Sequence, residues 1–145
     1  ASADVLHAAP GTQFVASVDD LLARELDVLS PNALGGLLTA EFAARLSVPI
    51  VCGGANNQLA DDAVADLLAA RGVLYAPDFM VNCGGVIQVA AELTGGDLDQ
   101  AREQTEAVYG TTRRVLDRAA REGVTPLAAA FGEAQERIDR ARPAR

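Results

Sequence analysis

The chain has no lysine and no tryptophan, and it contains only one histidine and two cysteines. Because all twelve basic residues are arginine, these residues alone cannot supply a lysine amine as a base, a Schiff-base former or a carboxylate partner. The single histidine, His7, excludes a histidine-based zinc cluster and a histidine-based catalytic triad. Cys52 and Cys83 lie in apolar stretches, so we expect buried thiols and a reducing, cytoplasmic compartment.

Charge and hydropathy exclude further classes of partner. The formal net charge of −8 argues against nucleic acid and against an anionic membrane surface. No apolar run approaches the roughly 20 residues of a spanning helix, and no signal peptide is visible. A chain of 145 residues suits a single domain with a sizeable core.

Strand and helix patterns alternate along the first half of the chain. Residues 1–9 resemble the end of a helix, and short apolar runs predict strands at 12–16, 27–30, 48–52 and 73–76. Helical patterns lie between them. Ser17 is the predicted cap of the first, and the others begin near Thr39 and Asp61. Continuous apolar strands of this kind indicate a parallel sheet that is covered on both faces.

Three loops follow strands of this predicted sheet, at residues 32–36, 53–57 and 77–85, and each is rich in glycine and asparagine. Ligands bind at the carboxyl ends of the strands in parallel sheets, so these loops indicate a binding site. Simple turn chemistry is the alternative, because both residue types tolerate a positive φ. Three such loops at one edge of the sheet favour the site.

Residues 78–93 are the stretch around which we expect the site to form. They predict a helix with Asp78 as its cap, and an apolar stripe runs through Phe79, Val86, Val89, Ala90 and Leu93. Gly84 and Gly85 in the first turns should cost about 1 kcal/mol each relative to alanine. Either a ligand lies against this helix start, or the glycines let two elements pack tightly. The spacing leaves both explanations open.

The last third of the chain predicts two helices. Asp97 caps the first, which ends at Gly123, and Thr125 caps the second. No G-x-G-x-x-G sequence occurs, although a complete dinucleotide-binding sheet needs one to hold the pyrophosphate. The predicted fold is therefore α/β: the second half of a Rossmann-like parallel sheet, without its glycine-fingerprint strand, followed by a helical segment. We expect residues 1–77 to form the partial nucleotide-binding domain and residues 78–145 to form the segment that packs on it.

Three runs resemble the amino-acid dehydrogenases of the Glu/Leu/Phe/Val family, particularly their branched-chain members. They are D-V-L-S-P-N-A-L-G-G at 27–36, C-G-G-A-N-N-Q-L at 52–59 and L-Y-A-P-D-F-M-V-N-C-G-G-V-I-Q-V-A-A-E-L at 74–93. The resemblance extends over almost the whole chain but over only about the last two-fifths of a typical family member. It implies reversible, NAD-dependent oxidative deamination of valine, leucine or isoleucine to a 2-oxo acid and ammonia.

The resemblance also implies roles for individual positions. Ala33 would lie against the cofactor ribose, Asn56 would contact the nicotinamide, and Asn82 would reach the nicotinamide ribose and the substrate. Gly84 and Gly85 would let the substrate and the nicotinamide approach the helix backbone closely. Val86 and Val89 would line the pocket for the aliphatic side chain of the substrate. The family's catalytic residues lie in an N-terminal domain that matches no position here, so no catalytic residue and no metal ligand is assigned.

Two other functions remain open at this stage. The chain could be a non-catalytic fragment or assembly module, because a sheet without its middle strand has exposed pairing edges. It could also bind a nucleotide by itself, although it has no phosphate loop. If the chain is part of a dehydrogenase, we expect it to form a homo-oligomer or to need a complementary N-terminal catalytic domain. We expect no turnover by the isolated chain.

Overall fold

A computed structural model describes residues 11–142 of the chain, as alternating helices and strands followed by a helical segment. The helices are α1 (Val18–Leu22), α2 (Ala40–Arg45), α3 (Ala63–Ala70), α4 (Asp78–Val81), α5 (Gly84–Leu93), α6 (Leu98–Glu122) and α7 (Pro126–Ala141). The strands are β1 (Val28–Leu29), β2 (Ile50–Val51) and β3 (Leu74–Tyr75). The predicted helical end at residues 1–9 lies outside the described residues.

The three strands form one parallel sheet in the order β1, β2, β3. Their register places Val28, Ile50 and Leu74 in one row and Leu29, Val51 and Tyr75 in the next. The second row is buried, whereas Val28 and Leu74 are exposed. The prediction of a parallel sheet is confirmed, but the prediction that both faces are covered is wrong for the residues that the structure describes.

The predicted strand at 12–16 does not form. Residues 12–15 have no regular secondary structure, and most of their side chains are exposed. In the described part of the chain, β1 pairs only with β2, so no strand lies beside its other edge. A strand is completed by the ladder of a neighbouring strand, and none of the three described strands pairs with this run, which explains the difference from the prediction. Ser17 does cap the helix that follows, accepting a hydrogen bond from the Asp20 backbone nitrogen at 3.1 Å.

The stretch at 78–93 is two helices instead of one. The backbone of Asn82 leaves the helical region with φ −110° and ψ 28°, and helix α5 begins only at Gly84. Asp78 does not cap α4 through its side chain, because its carboxylate bonds other partners. The large side chains of the apolar stripe, Phe79, Val86, Val89 and Leu93, are exposed. The break turns Asn82 toward the edge of the sheet.

Two clusters of buried side chains hold the fold together. The larger one joins the sheet to α2 and α3 and includes Leu38, Val51, Leu68 and Tyr75. The smaller one joins α4, α6 and α7 through Met80, Val115, Ala119, Ala129 and Ala130. Leu127 at the start of α7 belongs to the larger cluster, so the helical segment is anchored to the sheet by apolar packing.

The ends of the two long helices follow the prediction. Asp97 accepts a hydrogen bond from the Gln100 nitrogen at 2.9 Å, and Gly123 ends α6 in the left-handed region with φ 67°. Thr125 caps α7 at 3.2 Å from the Ala128 nitrogen. Across residues 11–142, no helix has the length and apolar character needed to cross a membrane.

Candidate functional site

Hydrogen bonds join the loop after β1 to the loop after β2 at the carboxyl edge of the sheet. The Asn32 side chain accepts from the Gly54 nitrogen at 2.8 Å, and the Pro31 oxygen accepts from the Ala55 nitrogen at 2.9 Å. The Gly36 nitrogen donates to the Asn57 oxygen at 2.7 Å. Because these bonds run between backbone atoms or short side chains, the two loops have a fixed relative position.

The loop after β2 is joined in turn to the segment after β3. The side-chain nitrogen of Asn82 donates to the Gly54 oxygen at 2.5 Å and to the Asn56 side-chain oxygen at 3.0 Å. Asn56 and Asn82 therefore lie side by side at the edge where ligands bind parallel sheets. Among the described residues, the Asn56 amide nitrogen donates no hydrogen bond, so the pair still offers a donor to the exterior.

A second contact between the same two segments passes through Asp78. One of its carboxylate oxygens accepts from the Tyr75 hydroxyl at 2.9 Å, and the other accepts from the Asn57 nitrogen at 2.5 Å. Asp78 and Tyr75 are both buried. Burial raises the pKa of the Tyr75 hydroxyl above its ordinary value, and the negative charge of Asp78 adds to the rise. The hydroxyl therefore stays protonated and keeps donating to Asp78.

Gln58 holds the loop after β2 from the inside. This fully buried side chain donates from its amide nitrogen to the Gly53 oxygen at 2.8 Å and to the Ala55 oxygen at 2.9 Å. Its amide oxygen has no hydrogen-bond partner among the described residues. The two donated bonds fix the backbone on both sides of Gly54, to which Asn32 and Asn82 bind.

The paired glycines at the start of α5 are not required for packing within the described part of the chain. A Cβ atom added at Gly85 would meet nothing within 4 Å, and one at Gly84 would touch only a Thr105 methyl group at 3.8 Å. Gly35 and Gly53 differ, because a Cβ there would overlap backbone atoms of the neighbouring loop. Tight packing therefore explains the loop glycines and does not explain Gly84 and Gly85.

The remaining residues that the sequence indicates lie around this edge. Val86 and Val89 share one face of α5 and are 72% and 55% exposed, so they present an open apolar surface next to the glycines. Ala33 is exposed in the loop after β1. Cys52 and Cys83 are partly exposed free thiols, so the expectation of buried thiols is wrong. The structure brings Asn56 and Asn82 into direct contact, whereas Ala33 lies in the adjoining loop.

Sequence reasoning missed the roles of Asp78, Tyr75 and Gln58 in joining the loops. A tyrosine three residues before an aspartate was visible in the sequence, but its meaning depends on the distant Asn57 nitrogen.

Elsewhere, a cavity of about 470 Å³ between α4, α5, α6 and α7 is lined by Phe79, Cys83, Ile87 and Val108. Residues 11–142 contain no group of histidine, cysteine and acidic side chains that could hold a metal ion.

Comparisons with known proteins show the family to which the chain belongs. A family model described as Glutamate/Leucine/Phenylalanine/Valine dehydrogenase matches residues 2–145. The valine dehydrogenase of Streptomyces coelicolor is 47% identical over 135 residues, which are 92% of this chain and 37% of that protein. The leucine dehydrogenase of Bacillus subtilis is 38% identical over 127 residues, which are 88% of this chain and 35% of that protein.

A solved structure shows the same fold. The L-tryptophan dehydrogenase of Nostoc punctiforme matches with a TM-score of 0.80 and 35% sequence identity, covering 84% of this chain and 37% of that one. This likeness, together with the parallel sheet, confirms the α/β fold expected from the sequence. The chain spans a little over a third of the length of the relatives that it matches.

Proposed function

The chain belongs to the Glutamate/Leucine/Phenylalanine/Valine dehydrogenase family, and from this we propose that it is the NAD-binding part of a branched-chain L-amino-acid dehydrogenase. The reaction would be the reversible oxidative deamination of valine, leucine or isoleucine to a 2-oxo acid and ammonia. The observation that carries the proposal is the contact between Asn56 and Asn82 at the carboxyl edge of a parallel sheet, next to two glycines that packing does not explain.

The residues at this edge fit a nicotinamide cofactor. A carboxamide group needs a donor and an acceptor side by side, and the amide side chains of Asn56 and Asn82 present both types of atom. The exposed loop of Ala33 adjoins them and would lie along the ribose. The start of α5 offers backbone N–H groups that have no helical acceptor, and these suit an anionic group of a ligand.

Each group of residues would make a separate contribution to the reaction. When bound, NAD would accept the hydride from the substrate α-carbon. Asn82 would orient the nicotinamide side, while Gly84 and Gly85 would let substrate and cofactor approach the helix backbone. Val86 and Val89 would form an apolar wall for the aliphatic side chain and exclude water from it. An apolar wall discriminates between substrates that differ by one methylene by only about 1–3 kcal/mol, so we expect this site to accept several branched-chain substrates.

We expect the proton-transfer groups of the reaction to come from outside this sequence. Deamination needs a base near the amine, and the chain has no lysine to supply one. We therefore place the catalytic groups on a complementary N-terminal domain, in the same polypeptide or another, and expect no turnover by these 145 residues alone. The two free thiols and the metabolic substrate fit the cytoplasm.

A chimeric enzyme tests this function. The chain would replace the matching 37% of the Streptomyces coelicolor valine dehydrogenase, and NAD-dependent oxidation of valine, leucine and glutamate would be measured. We expect turnover of valine and leucine, with kcat/KM for valine at least about a hundredfold above that for glutamate, whose charged side chain would be buried unpaired against the valines. A folded chimera that prefers glutamate, or that binds no NAD, would contradict the proposal.

A non-catalytic assembly module is the second candidate. Val86, Val89, Leu93 and Leu98 are all exposed large apolar side chains on α5 and at the start of α6. Surfaces of this kind often mark association sites, so the chain could pair with itself or with a complementary chain. Size-exclusion chromatography with light scattering discriminates: a monomer that melts sharply would argue against this candidate.

A further inference from the structure

We propose that Asp78 is a positioning residue, which sets the side chains of Asn56 and Asn82 in their working arrangement by holding the Asn57 backbone nitrogen. The assignment of that asparagine pair to the cofactor rests on the proposed function, whereas the mechanical link from Asp78 to the pair does not. Asp78 itself stays buried and touches neither cofactor nor substrate in this account.

The carboxylate of Asp78 joins three chain segments. It receives the Tyr75 hydroxyl from the end of β3 and the Asn57 nitrogen from the loop after β2. The Tyr75 oxygen also accepts from the Asp78 backbone nitrogen at 3.3 Å, so these two residues bond each other in both directions. One turn further on, the Asp78 backbone oxygen accepts from the Asn82 nitrogen at 2.8 Å. Asp78 is thus bonded directly to Asn82 and, through Asn57, to the neighbour of Asn56.

Asn57 has an unusual backbone conformation, which such a partner helps to hold. Its φ of 52° lies in the left-handed region, and among the described residues no other non-glycine residue has a positive φ. The bond from its nitrogen to Asp78 and the bond to its oxygen from the Gly36 nitrogen hold this conformation from both sides. Asn56 is joined to Asn57 by one peptide, so we expect the loss of the bond at the Asn57 nitrogen to free this peptide and to move Asn56 relative to Asn82.

A carboxylate suits this position better than an amide. The Tyr75 hydroxyl and the Asn57 nitrogen are both donors that approach different oxygens of the same group. An ionised carboxylate accepts at both oxygens, whereas an asparagine of the same size would direct an NH₂ group at one of the two donors. Asp78→Asn therefore replaces one of the two acceptor atoms by a donor without changing the volume of the side chain.

Nuclear magnetic resonance on the 145-residue chain tests the proposal. In the unsubstituted chain, a through-hydrogen-bond coupling should join the Asn57 backbone nitrogen to the carboxylate carbon of Asp78. Its absence, in a chain whose other backbone bonds give such couplings, would overturn the proposal without any variant. This measurement also covers the case in which an Asp78 variant fails to fold.

The consequence for the asparagine pair is measured in Asp78→Asn. We expect the side-chain amide signals of Asn56 and Asn82 to shift, and proton exchange at the Asn82 amide to quicken about tenfold, well below the unfolding temperature. Asp66→Asn on the exposed face of α3 removes the same charge and should change neither signal. Tyr75→Phe leaves the bond to Asn57 in place and should change them less than Asp78→Asn does. Asp78→Ala removes both acceptors and should shift the two amides at least as much. If Asp78→Asn and Asp78→Ala lower only the melting temperature and leave both amides unchanged, Asp78 is merely structural and the proposal fails.

The failure of this inference and the failure of the proposed function are distinguishable. The amide signals are recorded without NAD, so they report the link from Asp78 to the pair alone. In the chimeric enzyme, Asp78→Asn should raise the KM for NAD more than it lowers kcat, because a misplaced pair weakens cofactor binding. Shifted amide signals with an unchanged KM for NAD would uphold the mechanical link and refute the role of the pair in cofactor binding.

Discussion

The side-chain nitrogen of Asn82 lies 3.0 Å from the side-chain oxygen of Asn56, although 26 residues separate them in the chain. The contact exists because the helical pattern at 78–93 breaks at Asn82, which frees this side chain to turn toward the loop after β2. Both residues follow parallel strands that are neighbours in the sheet, so their loops meet at one edge. The proposed cofactor site depends on this contact.

Replacing Asn82 by alanine should destabilise the chain. The substitution removes two hydrogen bonds, to the Gly54 oxygen and to the Asn56 side chain, and leaves the Gly54 oxygen with one partner fewer. We expect a loss of about 1–2 kcal/mol in the free energy of unfolding, measured with urea. Gln88→Ala on the exposed side of α5 is the control and should change it by less than about 0.5 kcal/mol. Equal losses in both variants would contradict the contact.

Gly85→Ala should stabilise the isolated chain while it harms the chimeric enzyme. No atom lies within 4 Å of the added Cβ, so the unfolded chain loses freedom at no cost in packing, and we expect a gain of about 0.4–1 kcal/mol. In the chimera the same methyl group would occupy the space proposed for substrate and nicotinamide, and kcat/KM should fall at least about tenfold. Gly53→Ala, which overlaps Pro31, should instead destabilise the chain. An unimpaired Gly85→Ala chimera would argue against ligand approach at this helix start.

The stability of the chain should fall at high pH because of Tyr75. The pKa of the Tyr75 hydroxyl is raised in the folded state, chiefly by burial. The stability that this protonated hydroxyl contributes is therefore complete below its ordinary pKa of about 10, and it is lost as the pH rises toward the pKa in the folded state. The free energy of unfolding should decline above about pH 10 by up to about 1.4 kcal/mol per pH unit. The chain has no lysine to titrate in this range, which simplifies the measurement. Tyr75→Phe should flatten the decline, and Tyr109→Phe, at an exposed position, should not.

Val89→Ser tests whether Val89 belongs to the proposed substrate wall and not to the core. Val89 is 55% exposed, so the isolated chain should lose less than about 0.5 kcal/mol of stability. Val115 is 2% exposed in the smaller core, and Val115→Ser should cost about 2–3 kcal/mol. In the chimera, Val89→Ser should raise the KM for valine about tenfold, because a hydroxyl replaces part of the apolar wall. If the KM for valine does not change, Val89 does not line the substrate site.

The sequence predicted the class of fold because its strongest signals are local. The capping side chains at Ser17, Asp97 and Thr125 act within three residues, and all three formed as expected. The three loops rich in glycine and asparagine also lie at one sheet edge, as parallel strands require. The predicted strands were longer than the observed ones, since strand ends depend on neighbours that a local pattern does not show.

The parts of the site that could not be predicted depend on distant partners. Whether residues 12–16 form a strand depends on a neighbouring strand, and no described residues supply one. Asp78 has the features of a helix cap in the sequence, yet its carboxylate binds Tyr75 and Asn57 from two other segments. The spacing predicted an apolar stripe that includes Val86 and Val89, but spacing cannot tell a core face from a face that awaits a ligand or another domain.

The affinity of the chimeric enzyme for NADH tests the central claim most directly. Fluorescence titration would compare the unsubstituted chimera with Asn56→Ala, Asn82→Ala and, as a control, Gln135→Ala on the exposed face of α7. We predict that each asparagine variant raises the Kd for NADH about tenfold, the loss of roughly one hydrogen bond, while Gln135→Ala leaves it unchanged. An unchanged Kd in both asparagine variants, with the fold intact, would contradict the claim that this pair forms the nicotinamide side of the cofactor site.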